Sequence, residues 1–273
     1  MKKISLIEYI GDIDTVLVDA SGVLYTDEGP VSGVPETIQR CRDLGKEVFL
    51  VTNNTSLNPD QIYRYLKKQG LDIERDHLLS SGLGLSLDPS LRAMIDRRAV
   101  YVYGWEGSKW YVEQAGGRIV SDPENADLIA ILASYDEEND KEVSRLSTII
   151  RDKDLPVICG NPDQYVMGVN GLIPVCGYYA TAIEKAIQRD IIWMGKPYVQ
   201  FSKVVETFLK SFQVELSEKV WFFDDNRENV DVMAETLGVS GCVVGTGLSA
   251  YKDLSEDATY QRYWLDTFTL DNT

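Results

Sequence analysis

The stretch that decides the fold is Asp14-Thr15-Val16-Leu17-Val18-Asp19-Ala20-Ser21-Gly22-Val23-Leu24-Tyr25. It has the pattern of an apolar strand that ends in the carboxylate of Asp19 and turns at Gly22. Open α/β sheets bind ligands at the carboxyl ends of their strands. The sequence therefore predicts a ligand site at Asp19.

Strand-like and helix-like segments alternate along the chain, which indicates a parallel sheet with crossover helices. The predicted strands are Val16–Val18, Val48–Val51, Val100–Tyr103, Leu128–Leu132, Val157–Cys159, Val220–Phe223 and Cys242–Val244. The predicted helices are Pro35–Leu44, Pro59–Gln69, Ser108–Ala115, Lys141–Arg151, Ala180–Gln188, Tyr198–Phe212 and Asn226–Leu237. We expect an α/β fold with a Rossmann-like, doubly wound parallel sheet.

The spacing of three polar strand ends predicts an inserted domain. Residues 53–195, 143 in number, separate Thr52 from Lys196, although a simple βα unit needs far fewer. The intervening sequence has its own strand–helix alternation. We expect a discontinuous core of residues 1–79 and 179–273, with an inserted α/β cap at residues 80–178.

Composition limits the classes of function. The chain has 273 residues, 44% hydrophobic content and a net charge of −16, which argues against nucleic acid as a partner. No apolar run is long enough for a membrane span, and the N-terminus does not resemble a signal peptide. The four cysteines are widely spaced and predict reduced thiols in a cytoplasmic protein. The single histidine, His77, disfavours a Ser-His-Asp triad.

Two further strand ends carry groups suited to an anion. Thr52-Asn53-Asn54 offers short hydrogen-bond donors after the second predicted strand, although such clusters are usually ordinary turn formers. Gly195-Lys196-Pro197 places a lysine in a shaped loop before a helix. Lysine would act as a point charge on a phosphate, although most lysines are solvated surface groups.

A pair of carboxylates, Asp224 and Asp225, follows the strand Val220–Phe223. One carboxylate could cap the following helix, but two adjacent ones repel each other unless a cation intervenes. Mg²⁺ commonly uses one or two protein carboxylates together with a substrate phosphate. This arrangement favours a metal site over a simple helix cap.

Taken in order, these motifs resemble those of the haloacid dehalogenase-like hydrolases. The insertion resembles the NagD-like and p-nitrophenylphosphatase-like branch, through Cys159-Gly160-Asn161-Pro162-Asp163, Gly171-Leu172-Ile173-Pro174-Val175-Cys176-Gly177 and Gly195-Lys196-Pro197. The likeness runs from about Ile13 to about Leu248.

The resemblance implies a mechanism and assigns roles to residues. Asp19 would attack phosphorus and form an aspartyl-phosphate, while the backbone carbonyl of Ser21 and the carboxylates of Asp19, Asp225 and Asp224 would hold Mg²⁺. The transferring phosphoryl group would be bound by Thr52, Asn53, Asn54 and Lys196. The cap would contact the leaving group through Asn161, Pro162, Asp163 and Tyr178.

Ser21 departs from the family pattern, which has Asp-x-Asp-Gly where this chain has Asp19-Ala20-Ser21-Gly22. The second aspartate of that pattern serves as the general acid and base. A serine hydroxyl is too weak an acid for this work, and general acid–base catalysis contributes about 10²–10⁴-fold. We expect a loss of that order unless another group substitutes.

The sequence therefore predicts a Mg²⁺-dependent phosphohydrolase that acts on a small phosphorylated metabolite, with a sugar phosphate as one candidate. Two alternatives stay open: a catalytically impaired protein that binds a phosphorylated ligand or regulates, and a phosphotransferase. The oligomeric state is also open, with a homodimer as one alternative.

Overall fold

The structure, a computed structural model, describes residues 2–134, 139–168, 171–248 and 262–270. Its larger sheet has seven strands, and every neighbouring pair in it is parallel. Their spatial order is β1 (Lys2–Lys3), β16 (Tyr263–Leu265), β15 (Ser240–Val244), β14 (Val220–Asp224), β2 (Thr15–Val18), β5 (Glu47–Thr52) and β6 (Leu78–Ser80).

A second, five-stranded parallel sheet lies apart from the first. Its order is β13 (Ile192–Trp193), β10 (Val157–Cys159), β9 (Leu128–Ile131), β7 (Ala99–Tyr103) and β8 (Arg118–Val120). Two antiparallel hairpins complete the strands: β3 (Tyr25–Thr26) with β4 (Gly29–Pro30), and β11 (Tyr165–Gly168) with β12 (Gly171–Pro174).

Helices connect the parallel strands. They are α1 (Leu6–Tyr9), α2 (Val34–Asp43), α3 (Pro59–Lys68), α4 (Gly84–Leu87), α5 (Pro89–Ile95), α6 (Glu106–Gln114), α7 (Asn139–Lys153), α8 (Cys176–Ile187), α9 (Val199–Ser211) and α10 (Arg227–Leu237). Local sequence explains several boundaries. The Asn58 side chain and Gln61 form a capping box before α3, and α10 ends at Gly238 in the left-handed region, at φ +66°.

The central strands of the larger sheet are buried on both faces. In β2, Val16 and Val18 pack into one hydrophobic cluster, while Leu17 points into another on the opposite face. The same alternation holds in β14, where Trp221 and Phe223 oppose Phe222. Burial on both faces is what a doubly wound sheet requires and explains the near-continuous apolar runs of these strands.

These elements confirm the predicted fold class. Each predicted strand is present within two residues of its expected bounds. The predicted helices are also present, with α8 starting four residues earlier than expected. The hairpins and the short strands β1, β6, β8, β13 and β16 were not predicted, because segments of two to four residues carry little periodicity.

The division at residues 80 and 178 stays a prediction. Helix α8 crosses residue 178, and β13 lies beyond it while pairing with β10 in the second sheet. The second sheet therefore extends past the predicted C-terminal edge of the insertion. Among the described residues, no helix has both the length and the apolar character needed to cross a membrane.

Candidate active site

Asp19 lies at the carboxyl end of β2, in the middle of the larger sheet. Its backbone N–H donates to the carbonyl of Phe223 on β14 at 2.8 Å, which continues the pairing of these two strands. The residue is only 8% exposed. The sheet thus fixes this carboxylate beside the end of β14, which carries Asp224.

Lys196 is buried between two of these carboxylates. Its Nζ donates to Oδ1 of Asp19 at 2.6 Å, to Oδ2 of Asp224 at 2.7 Å and to the carbonyl of Val51 at 2.8 Å. These three acceptors satisfy all three donors of an ammonium group. A lysine that is 1% exposed is unusual, and the two carboxylates explain how its charge is compensated.

The amide of Asn53 fixes the backbone at Lys196. Its Oδ1 accepts from the Lys196 N–H at 2.8 Å, and its Nδ2 donates to the Lys196 carbonyl at 3.0 Å. The preceding Gly195 has φ +136°, and a Cβ there would lie 2.8 Å from Oδ1 of Asn53. Glycine is therefore required at this position by both its backbone conformation and the close approach of Asn53.

Asp224 and Asp225 have different surroundings. Asp224 accepts from the Asn226 N–H at 2.8 Å and from Nδ2 of Asn229, in addition to its bond with Lys196. Asp225 accepts from the Leu248 N–H at 2.6 Å. One oxygen each from Asp19, Asp224 and Asp225 lies within 4.8 Å of the others, so three buried carboxylates form one cluster.

The electrostatics of this cluster follow from burial. Desolvation raises the pKa of Asp19 to about 7, with Lys196 opposing the shift and Asp224 adding to it. Desolvation also raises the pKa of Asp225, reinforced by Asp224 and Asp19. Burial by itself lowers the pKa of Lys196, but its two carboxylate partners outweigh this and raise it overall, so the lysine stays charged.

Ser21 and Gly22 form the turn after β2. Gly22 has φ +85°, and a Cβ at this position would overlap the carboxylate of Asp225. Ser21 is exposed and lines the cavity above the carboxylate cluster. The side chain that departs from the family pattern therefore faces the place where a substrate would bind.

The cavity above the cluster has a volume of about 630 Å³ and lies between the larger sheet and the hairpin β11–β12. Among the described residues, Lys196 is the only basic side chain that lines it. Four carboxylates line it as well: Asp19, Asp27, Asp163 and Asp225. The remaining wall is largely aromatic, aliphatic or neutral and polar, with Tyr25, Leu57, Tyr65, Trp105, Ser134, Tyr165, Met167 and Ile173 among its members.

The structure places most of the residues predicted for the site around this cavity. Those that line it are Asp19, Ser21, Thr52, Asn54, Asn161, Asp163, Lys196 and Asp225. Asp224 lies directly behind them and is fully buried. The side chain of Asn53 is committed to Lys196 and Asp163, so a contact with a phosphoryl group would use its backbone N–H.

Pro162 and Tyr178 do not line the cavity. Pro162 is buried and packs close to Gly195. Tyr178 is 42% exposed and its ring lies 5.7 Å from that of Tyr165, centroid to centroid. Tyr165, rather than Tyr178, contributes the aromatic surface on this side of the cavity.

Two contributors were not singled out from the sequence. Asn229 lies in the first turn of α10, where its Nδ2 reaches both oxygens of Asp224, and its position four residues after Asp225 was the available signal. Leu248 supplies a backbone N–H to Asp225, a role that no side-chain pattern can reveal.

The donor set fits a hard divalent cation. When ionised, the three carboxylates together with one ammonium leave two negative charges in a buried space, which a divalent cation would neutralise. Oδ1 of Asn229 is also buried without a hydrogen-bond partner in the part of the chain described. An unpaired buried oxygen beside the carboxylates is consistent with a bound ion or its water shell.

The site combines a parallel α/β sheet with a strand-end aspartate, a buried lysine and an acidic cluster. This combination defines a class of hydrolases, and comparison with known proteins agrees. The family model described as haloacid dehalogenase-like hydrolase matches residues 16–118. Mouse (Mus musculus) chronophin is 30% identical over 212 residues, which cover 75% of this chain and 73% of chronophin.

Two further comparisons extend over more of the chain. An acid sugar phosphatase from Staphylococcus haemolyticus is 24% identical and covers 88% of both chains. The crystal structure of a possible sugar phosphatase from Cytophaga hutchinsonii superposes with a TM-score of 0.84 at 20% identity, covering 100% of both chains. The chain belongs to the haloacid dehalogenase-like hydrolases. It shares its fold with NagD from Escherichia coli and with a p-nitrophenyl phosphatase from Archaeoglobus fulgidus, at 22% and 20% identity and TM-scores of 0.75 and 0.77.

Proposed function

We propose that the protein is a Mg²⁺-dependent phosphohydrolase that removes the phosphoryl group from a small phosphorylated metabolite through an aspartyl-phosphate at Asp19. The observation that carries this proposal is the buried lysine between two strand-end carboxylates, with a third carboxylate beside them. Such a group of charges is costly to bury and fits a site that binds an anion and a cation together.

The nucleophile in this proposal is Asp19. Its carboxylate lines the cavity at the end of a rigid strand, and Nζ of Lys196 holds Oδ1 at 2.6 Å. Lys196 orients this oxygen and favours the ionised form that nucleophilic attack requires. The lysine also supplies positive charge for the equatorial oxygens of the phosphoryl group, which Thr52 and the backbone after it would bind.

Asp19, Asp225 and the backbone carbonyl of Ser21 would hold the Mg²⁺ ion. Asp224 already accepts hydrogen bonds from Lys196, Asn226 and Asn229, so its main task would be to orient these groups. When bound, the ion supplies positive charge that neutralises the carboxylates and the phosphoryl oxygens.

The charge of the cavity favours a leaving group without negative charge. Asp27 and Asp163 remain in the wall beyond the phosphoryl site, and no basic side chain of the described residues faces them other than Lys196. A carboxylate or second phosphate on the leaving group would be repelled there. A neutral sugar or polyol would instead contact aromatic rings and neutral polar groups, in keeping with the name of the staphylococcal relative.

The test is a turnover screen with and without Mg²⁺ across phosphorylated metabolites, with Asp19→Asn as the blank. We expect Mg²⁺-dependent release of phosphate, faster for sugar and polyol monophosphates than for bisphosphates or phosphorylated acids. Turnover that persists in Asp19→Asn, or a rate that does not change when a chelator removes Mg²⁺, would contradict the proposal.

A second candidate function is favoured by Ser21: a protein that binds a phosphorylated ligand without turning it over. The same screen separates the two. Tight binding of phosphorylated metabolites by calorimetry with no phosphate release would support the binding protein. Loss of the bound phosphoryl group to a sugar or alcohol acceptor, measured as a new phosphoester, would instead indicate a phosphotransferase.

A further inference from the structure

The cavity contains a carboxylate to which the proposed mechanism assigns no catalytic step. Ser21 occupies the turn where the family pattern has its acid and base, and a hydroxyl cannot perform that task. Four described carboxylates line the cavity. Asp19 and Asp225 have roles in the proposed function, and Asp27 is an exposed residue of the β3–β4 hairpin. Asp163 remains.

The loop between β10 and β11 holds Asp163 in a defined position. Its N–H donates to Oδ1 of Asn161 at 3.0 Å, and its carbonyl accepts from the Gly177 N–H at 2.9 Å. Its carboxylate Oδ1 accepts from Nδ2 of Asn53 at 2.8 Å. The backbone and one carboxylate oxygen are thus fixed, while the side chain still faces the cavity.

Asn53 links this carboxylate to the phosphoryl site. The same amide bonds both backbone groups of Lys196, and Nζ of that lysine reaches Asp19. The side-chain amide of Asn53 therefore connects the carboxylate of Asp163 to the backbone of Lys196. Asp163 lies on the side of the cavity that belongs to the loop after β10. Asp19 and Asp163 both line the cavity, so a leaving group that extends from a phosphoryl group at Asp19 toward the loop after β10 would meet Asp163.

We propose that Asp163 is the general acid and base of the reaction, in the role that Ser21 cannot fill; this inference rests on the proposed phosphohydrolase function. In the first step Asp19 bonds to phosphorus, the bond from phosphorus to the leaving-group oxygen breaks, and Asp163 gives its proton to that oxygen. In the second step water attacks phosphorus, its proton passes to Asp163, and the bond to Asp19 breaks.

The electrostatic surroundings suit a group that must cycle between two protonation states. Burial raises the pKa of Asp163 to about 6, with Lys196 and the hydrogen bond from Asn53 opposing the shift and Asp224 adding to it. The charge of Asp163 is in turn felt by Asp19 and by the thiol of Cys176. A pKa near the working pH allows both donation and acceptance of a proton.

The test uses Asp163→Asn, which keeps an oxygen to accept from Asn53 but carries no transferable proton. Two substrates differ in their need for an acid: β-glycerophosphate leaves as a strongly basic alkoxide, and p-nitrophenyl phosphate as a weakly basic phenolate. We expect kcat/KM to fall by about 10²-fold or more for β-glycerophosphate and by less than about tenfold for p-nitrophenyl phosphate. Asp190→Asn, which removes an exposed carboxylate that does not line the cavity, should change neither by more than about twofold.

Two further measurements distinguish proton transfer by Asp163 from a merely structural role, in which Asp163 only holds the side chain of Asn53 in place. They are rescue by a second substitution and the dependence of the rate on pH. Adding Ser21→Asp to Asp163→Asn should raise kcat/KM for β-glycerophosphate at least about tenfold above that of the single variant Asp163→Asn. At saturating Mg²⁺, which favours the ionised form of Asp19, the wild-type kcat/KM for that substrate should decline above about pH 6, because the acid form of Asp163 is then depleted, and Asp163→Asn should lack this limb. Equal losses on both substrates without rescue, or no loss at all, would overturn the role of Asp163. Failure of the wild type to hydrolyse either substrate would instead overturn the proposed function.

Discussion

Two walls face each other across the cavity, and they differ in almost every physical respect. The strand-end wall consists of Asp19, Thr52, Lys196 and Asp225, with Asp224 directly behind them, and all five are buried and charged or polar. The hairpin wall consists of Tyr165, Val166, Met167, Ile173 and Val175, which are half-buried or exposed and mostly apolar. The first has its polar atoms fixed by hydrogen bonds, whereas the second is a two-stranded hairpin at the rim.

The difference indicates a division of labour. In the proposed mechanism the reacting groups must be held in place, and the parallel sheet holds the strand-end residues through strands buried on both faces. Groups that select a leaving group need only shape and hydrophobic surface, which a short hairpin can provide. Variants of the strand-end wall should therefore alter stability, metal binding or catalysis, while variants of the hairpin wall should alter mainly the affinity for substrate.

The largest effect on stability is expected from Lys196→Met. It leaves Asp19 and Asp224 as uncompensated buried carboxylates, so the free energy of unfolding should fall by about 3–5 kcal/mol in urea titrations at pH 7.5 without metal. The matched control is Lys210→Met, which removes an exposed pair with Glu206 and should change stability by about 1 kcal/mol or less. Similar losses in the two variants would show that the buried pair is not a central element of this wall.

A smaller effect is expected when pH and Mg²⁺ are varied together. The folded-state pKa of Asp19, about 7, and that of Asp225 both lie above the ordinary value of 3.8, so the folded state binds more protons in this range. The stability that this adds is present in full at low pH and is lost as pH rises toward 7, when no metal is present. Mg²⁺ should therefore raise Tm more at pH 8 than at pH 5.

The size of the Mg²⁺ effect is set by mass action. At about one hundred times Kd it amounts to about 2.7 kcal/mol, which corresponds to a shift of several degrees. Asp225→Asn should be more stable than the wild type in chelator at pH 8 and should lose most of the shift with Mg²⁺. An equal shift at both pH values, or an undiminished one in Asp225→Asn, would argue against a cation at the strand-end wall.

The smallest effect is expected on the hairpin wall. Ile173→Ala should raise KM several-fold with little change in kcat, because its side chain lines the cavity and touches none of the reacting groups. Leu172→Ala is the matched control: it is the neighbouring residue of β12, equally exposed, and does not line the cavity. The free energy of unfolding should change by less than about 1 kcal/mol in both. A fall in kcat for Ile173→Ala comparable to that of a strand-end variant would break the division between the walls.

The strand-end wall was largely predictable from the sequence. Asp19, Thr52 and Asp224 each end a long apolar run, and the carboxyl ends of parallel strands meet at one edge of a sheet. What the sequence could not indicate was the complete burial of Lys196, because lysine is ordinarily solvated and its partners lie 28 and 177 residues away. The bond between Asn53 and Asp163, across 110 residues, was hidden for the same reason.

The hairpin wall was less accessible to prediction. Tyr165–Gly168 and Gly171–Pro174 are four residues each, half-exposed and without clear alternation, so their pairing depends on tertiary contacts. Tyr178 was expected at the substrate and lies outside the cavity, because α8 begins at Cys176 and turns the side chain toward Tyr165. Sequence patterns therefore indicated the positions of the strand-end residues better than those of the hairpin wall.

In the proposed mechanism, Asp19 carries the phosphoryl group during turnover. A single turnover with excess enzyme, quenched in acid at short times and followed by peptide mass spectrometry, measures this directly. This mechanism predicts a transient phosphoryl adduct on Asp19 that forms with loss of substrate, decays with release of phosphate and is absent in Asp19→Asn. Release of phosphate at the same rate with no adduct at any time, or an adduct on another residue, would contradict it.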